Sequence, residues 1–171
     1  MDLHTTTLPP PGLEHICDLA VTVSPPIDAG VLHGLGTAGQ RRIIPITGGV
    51  VTGRIQGRVL PGGADFQRLP APADAASQAC ADLDARYLIA LDGDHAGEHI
   101  FVMNRALRRA SQADVAALSR GEVVDPARVY FRCAPQFEVS SPRLRWLTES
   151  IVVGAGARAP TGVSISFYRL L

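Results

Sequence analysis

Lysine is missing from the 171-residue chain: all 16 basic residues are arginines, balanced by 16 acidic residues to a formal charge of zero. Scattered, balanced charge offers no basic stripe for a phosphate backbone, so no nucleic-acid partner is expected. Cysteine is scarce and odd in number. Cys17, Cys80 and Cys133 stand far apart with no C-x-x-C pair, which excludes zinc ribbons and dithiol redox motifs and leaves free thiols as the reading. No apolar run approaches the length of a membrane span, and Met1–Gly12 has neither a basic nor an apolar leader segment. A cytoplasmic location, no signal peptide and no membrane partner are therefore expected.

What is present is ordinary for a globular protein: 46% hydrophobic and 19% charged residues in a chain long enough for one domain with its own core. The 13 prolines and 17 glycines are too many for a helical bundle. Pro9-Pro10-Pro11 cannot enter a helix or an inner strand, so residues 1–12 read as a flexible N-terminal arm and 13–171 as the folded domain.

Short β-patterned runs follow one another closely. Leu13–Ser24 is a strand stopped by Pro25-Pro26, and a second centres on Val31-Leu32-His33. Gln40–Thr47 is a third, with Pro45 marking an edge, an end or a bulge. Val50–Thr52 and Arg54–Leu60 continue the pattern, with Ile55, Gly57 and Val59 on one face. Pro70–Cys80 reads as a short helix or a lobe of loop. Leu83–Leu91 and Glu98–Leu107 make a hairpin about Asp92-Gly93-Asp94. Ser111–Ser119 is the one clear helix, opened by Ser111 with Asp114 as a capping box and turning Val115 and Leu118 to the core. Val129–Val139, Thr148–Val153 and Val163–Leu170 complete the strands, and Ser141–Leu147 is a helical turn carrying the single tryptophan, Trp146. Many short strands and one helix point to an all-β, mainly antiparallel barrel or sandwich.

The stretch from Gly48 to Gln67 has the most unusual texture: two alternating runs punctuated by glycines, ending in a Pro61-Gly62-Gly63 turn that delivers Asp65, Phe66 and Gln67. Paired glycines before a polar trio suit close backbone approach at the wall of a pocket. Asp65 and Glu138 are the candidate catalytic acid and base, because two carboxylates in one dry cavity can have their pKa values driven apart. The competing reading pairs each with an arginine or a turn. Phe66 would desolvate Asp65. Arg86 and Arg132, set in apolar β-patterned segments, are candidates for gripping an anionic ligand. They could equally form interior salt bridges, Arg86 to Asp84 and Arg132 to Glu138. Tyr130 shares a strand face with Arg132. Gln67, Asn104 and Trp146 complete the candidate ligand-binding set with Phe66, Arg86, Tyr130 and Arg132, although Trp146 also suits core packing.

The motifs run in an order that resembles one family. Pro45-Ile-Thr-Gly-Gly49, Val59-Leu-Pro-Gly-Gly-Ala-Asp-Phe-Gln67, Asp84-Ala-Arg-Tyr87, the Val102 to Arg105 segment, Tyr130-Phe-Arg132, Phe137-Glu138, Trp146-Leu147 and Val153-Gly-Ala-Gly-Ala-Arg158 are similar to those of domain of unknown function 3237, also called uncharacterised protein family 0311. The resemblance covers about Leu13 to Leu171. It implies a single closed β-barrel, calycin- or lipocalin-like, with a polar-lined cavity, and a homodimer. It implies no agreed activity. Phe66 stands where the family commonly has Trp, and Ala106 where it often has Gly, so the pocket is expected to differ from those of relatives.

Other chemistries lack support. His15, His33 and His99 have no partner at metal spacing, so no metal is expected. Gly34–Gly39 has the G-x-G-x-x-G spacing without the βαβ setting, and no G-x-S-x-G elbow occurs. No cofactor is expected. The remaining reading is a barrel that binds a small molecule, either as a cofactor-independent acid/base enzyme of the isomerase or cyclase type, or as a non-catalytic carrier of a small anionic or aromatic ligand.

Overall fold

The structure, a computed structural model of the chain, describes residues 8–34, 37–71, 74, 77–159 and 162–171. Its strands are β1 (Leu13–Val23), β2 (Ile27–Gly34), β3 (Thr37–Gly53), β4 (Gly57–Val59), β5 (Ala64–Leu69), β6 (Ala79–Leu91), β7 (His99–Ala110), β8 (Tyr130–Val139), β9 (Val152–Ala159) and β10 (Gly162–Leu170). One helix, α1 (Gln112–Ser119), joins β7 to β8. Period-two alternation sets which side chains turn inward. In β7, Ile100, Val102, Asn104, Ala106, Arg108 and Ala110 are buried while the residues between them are more exposed.

Every strand pairing is antiparallel. The order runs β1, β10, β9, β8, β7, β6, and next comes a position shared by β4 and β5, which both pair with β6 and with β3. Strand β3 pairs back onto β1 and closes an eight-position ring. The fold is thus a closed antiparallel barrel with one short helix, as the sequence led us to expect, and closure leaves the ring without a free edge. Strand β2 lies outside the ring on the first half of β3.

Two strands depart from the sequence-based reading. The runs around Ile43 and Val50 form one long β3 that passes through Pro45. Proline is tolerated there because β3 changes partners beside it: Ile43 still pairs with Ile27 of β2, and Ile46 already pairs with Val23 of β1. The Asp65 segment is a strand, not only the end of a turn. Its inward residues are polar, which hides the apolar alternation that marks a strand.

The start of the chain and the Pro70–Cys80 stretch fall partly outside the described residues. Residues 1–7 of the expected arm are among those not described, and Leu8–Gly12 are exposed ahead of β1. The described residues between β5 and β6 carry no helix, and 72, 73, 75 and 76 are not described. No helix among the described residues is long and apolar enough to cross a membrane.

The barrel has one filled end and one open end. At the first, the β3–β4 and β6–β7 turns meet, with the Asp92 amide donating to the Gln56 carbonyl at 3.0 Å. The 3-10 segment Pro142–Leu147 buries Leu144 and Leu147 in the core cluster that also holds Ile16, Ile55, Leu91 and Phe167. Trp146 sits partly buried beside this plug, with the Arg54 and Arg169 guanidinium carbons 4.5 and 5.7 Å from its ring. At the other end, α1 is capped as its sequence suggests, the Asp114 amide donating to the Ser111 hydroxyl at 3.0 Å. Leu118 is buried as expected, but Val115 is only half-buried, and Asp114 takes the second buried position.

Candidate functional site

A cavity of about 340 Å³ occupies the half of the barrel opposite the plug. Its rim is the β1–β2 corner, Val23 to Pro26, and the end of the β9–β10 hairpin at Ala159 and Gly162. Its walls are largely apolar, with Val21, Ile44, Ile46, Leu83, Phe131 and Ile165 among the lining residues.

Inward polar residues interrupt these walls in register. Asp65 pairs across the sheet with Ile44 on one side and Ala85 on the other, and Ala85 pairs with Asn104. One cross-strand row therefore brings Asp65 and Asn104 to the same depth, with only an alanine between them. Arg108 lies four residues further along β7 toward the open end, about 13 Å measured along the strand, in the row where it pairs with Ala81 and Phe131. Tyr87, paired with Val102, is one row deeper than Asn104.

Small residues make this space. Alanines 85 and 106 line the cavity where larger side chains would fill it. Glycines let neighbouring parts approach: a Cβ at Gly63 would meet the Arg86 carbonyl oxygen at 2.5 Å and Tyr87 Cβ at 2.7 Å. Gly63 is thus what lets the chain lie close on β6 just ahead of Asp65. A Cβ at Gly156 would lie 2.8 Å from the Phe131 ring, so Gly156 seats that ring against the wall.

The charge balance of the cavity is unusual. Asp65 Oδ2 accepts a 2.6 Å hydrogen bond from Gln67 Nε2, and Oδ1 has no partner. No arginine forms an ion pair with Asp65 among the described residues. Burial raises its pKa, against the opposing pull of the Gln67 hydrogen bond, the Arg108 charge and a weak hydrogen bond from the Asp84 backbone. Arg108 is 7% exposed and has neither an ion pair nor a hydrogen bond among the described residues. Burial, together with the like charges of Arg158 and Arg42, lowers its pKa to about 10. Arg158 also lines the cavity, and burial with the Arg42 charge lowers its pKa. Arg42 is partly neutralised by Asp28, 3.6 Å away. Two further residues of the cavity lining carry a buried atom with no partner among the described residues, the Tyr87 hydroxyl and Asn104 Oδ1.

Of the residues singled out in the sequence, Asp65, Gln67 and Asn104 come together on the cavity wall. The others do not. Glu138 is exposed on the outer face of β8, so no second carboxylate shares the cavity with Asp65. Arg86 also faces outward; its Nη2 lies 3.2 Å from Asp84 Oδ2, so the expected pair forms, but on the solvent side. Tyr130 and Arg132 share a face as the period of two requires, yet it is the outer one, because Phe131 and Cys133 claim the interior. Arg132 donates to the Phe131 carbonyl and does not pair with Glu138. Phe66, 41% exposed, alternates away from Asp65 and does not desolvate it. Trp146 belongs to the plug. On β6 and β8 the bulky neighbours Tyr87 and Phe131 turn inward and carry Arg86 and Arg132 to the outer face, which corrects the expectation for those two arginines.

Arg108, Arg158, Tyr87 and Phe131 were missed. The signal for Arg108 was available: it continues the 100, 102, 104, 106 series, but the strand was ended at Leu107. Among the described residues no group of His, Cys, Asp and Glu is arranged to hold a metal ion.

The architecture recurs in known proteins. A UPF0311 protein of Bradyrhizobium diazoefficiens is 37% identical over 150 residues, covering 88% of this chain and 93% of that one. The crystal structure of a conserved protein of unknown function from Rhodopseudomonas palustris superposes with a TM-score of 0.81 at 33% identity, covering 96% of this chain and all of that one. A β-barrel-like protein of Acinetobacter baumannii gives a TM-score of 0.77 at 34% identity, over 96% of this chain and 99% of its own. Residues 11–170 match the family described as protein of unknown function DUF3237, and the chain belongs to that family.

Proposed function

We propose that the protein is a cofactor-independent acid/base enzyme of the isomerase or cyclase type, acting on a small metabolite held inside the barrel. One observation carries the reading. Asp65 lines the cavity with an oxygen that has no partner and no arginine ion pair among the described residues, and with a pKa raised by burial. A carboxyl whose pKa is raised by burial and that is not locked in a salt bridge accepts and returns a proton more readily than one held ionised.

Because Glu138 is outside, Asp65 works alone. As carboxylate it takes a proton from a carbon next to a carbonyl, and the C–H electron pair moves into an enolate. The resulting carboxylic acid then returns the proton to a different atom, so Asp65 ends as it began. Gln67 fixes the side chain through its Oδ2. The positive potential of Arg108 and Arg158 favours negative charge on the ligand as the enolate forms.

The test is incubation of the purified protein in D2O with a panel of small carbonyl acids, following deuterium incorporation and isomer formation by NMR. The wild type should exchange at least one member, and Asp65→Asn should lower that rate by about 100-fold or more, the lower range of a general acid/base contribution. Binding with no exchange in the wild type would instead make the protein a carrier.

A further inference from the structure

The cavity joins two polar zones through an apolar middle, and their chemistry differs. Nearer the open end, Arg108 and Arg158 present guanidinium groups with no carboxylate partner among the described residues. An arginine that is 7% exposed and lacks both counter-ion and acceptor leaves up to five donors unused. Such a cost is relieved by an anion, and a carboxylate matches the guanidinium fork in two parallel hydrogen bonds. Deeper in, the unpartnered atoms are the Tyr87 hydroxyl and Asn104 Oδ1. The hydroxyl can donate, and the amide oxygen only accepts. A hydroxyl both accepts and donates and satisfies both, as a carbonyl does in its enol form. Between the zones lie Ile44, Leu83, Phe131 and Ile165, which suit an apolar frame.

Building on the acid/base reading above, we propose that the substrate is a small hydroxy or oxo carboxylic acid with a rigid apolar, ring-sized frame, bound with its carboxylate on Arg108 and Arg158 and its oxygen function toward Tyr87 and Asn104. The cavity, about 340 Å³, is at the small end of the roughly 300–1,000 Å³ range of ligand sites, so the frame is a single ring and not a fused polycycle. The orientation puts carbons next to the deep oxygen function in the row of Asp65, where a proton can be moved.

Affinities of simple probes test this. 4-Hydroxybenzoate, 4-hydroxyphenylacetate and 3-(4-hydroxyphenyl)propionate span three lengths. Each is compared by calorimetry with its dehydroxy analogue and its methyl ester. At least one frame should bind, weakening about tenfold or more when either end is altered. Arg108→Met should abolish the preference for acid over ester, and Tyr87→Phe with Asn104→Leu the preference for the hydroxyl. Equal binding of acid and ester by the wild type, equal binding of hydroxy and dehydroxy forms, or no binding of any frame would each overturn the assignment without reference to a variant that might not fold. The acid/base reading is judged separately by the Asp65→Asn exchange assay. Discrimination at both ends without isotope exchange sinks catalysis and keeps the ligand class; exchange of acids lacking the deep oxygen function does the reverse.

Discussion

Asp65 shows how a single side chain couples burial to pH. Its pKa is raised, so the folded state holds the proton more tightly than the unfolded chain does. For a group raised in this way, the stabilising contribution is complete below the ordinary carboxylate range and is lost as pH climbs through the raised value. Above that point the fold carries a buried charge, opposed only in part by Gln67 and Arg108. Asp65→Asn keeps the shape and removes the ionisation. The variant should melt higher than wild type at pH 8, each kcal/mol recovered being worth about 2–4 °C in a domain of this size, and the gain should disappear near pH 4. Thermal scans at the two pH values check this; a gain of the same size at both would point to a packing effect. At this scale the sequence was legible where a polar residue stood out of place. Asn104 was readable because it interrupts an apolar series, and Asp65 and Gln67 because they follow the Gly62-Gly63 pair. Arg86 and Arg132 misled because charge in an apolar run says that something faces outward or inward without saying which. The neighbours decide: Tyr87 and Phe131 are the bulkier apolar residues, and burying them leaves the arginines in water.

Among the elements, β9 matters most to the site through what it lacks. Gly154 and Gly156 leave a trough on its inner side, and the Phe131 ring lies over Gly156. Gly156→Ala would place a methyl carbon 2.8 Å from two atoms of the ring and 2.9 Å from a third. The ring must then swing toward the cavity that it helps to line. Overpacking of this kind costs typically about 1–3 kcal/mol. The expected outcome is a lower denaturation midpoint together with weaker probe binding, and retention of full affinity would mean that Phe131 can move elsewhere. The strand pattern itself was largely readable, because β1, β6, β7 and β10 alternate cleanly. Strand β5 was not, since its inward positions carry Asp65 and Gln67 and only register with Ile44, Arg42 and Ala85 identifies it as a strand. The same residues that make the site conceal the element that bears them.

Over the whole molecule, the barrel divides its interior between stability and recognition. The plug of Leu144, Leu147, Ile55 and Phe167 shares the barrel with the cavity but lines none of it. The two regions share one core cluster, which also holds the cavity-lining Leu83, Tyr87, Phe131 and Ile165, inside a sheet that β1 closes by pairing with both β3 and β10. Neither the division nor the direction of the opening was visible in the sequence, because both depend on which turns share an end of the barrel, a long-range consequence of register. Leu147 is 2% exposed in the plug, and truncation to alanine removes a fully buried side chain from a packed cluster. Leu147→Ala should cost about 2–5 kcal/mol of unfolding free energy, measurable as a shift of the urea midpoint. Below that midpoint the same variant should bind the hydroxy-acid probes with the affinity of wild type, since no lining residue changes. If affinity falls in step with stability, the two halves are coupled through the sheet, and the cavity depends for its shape on the packing beneath it.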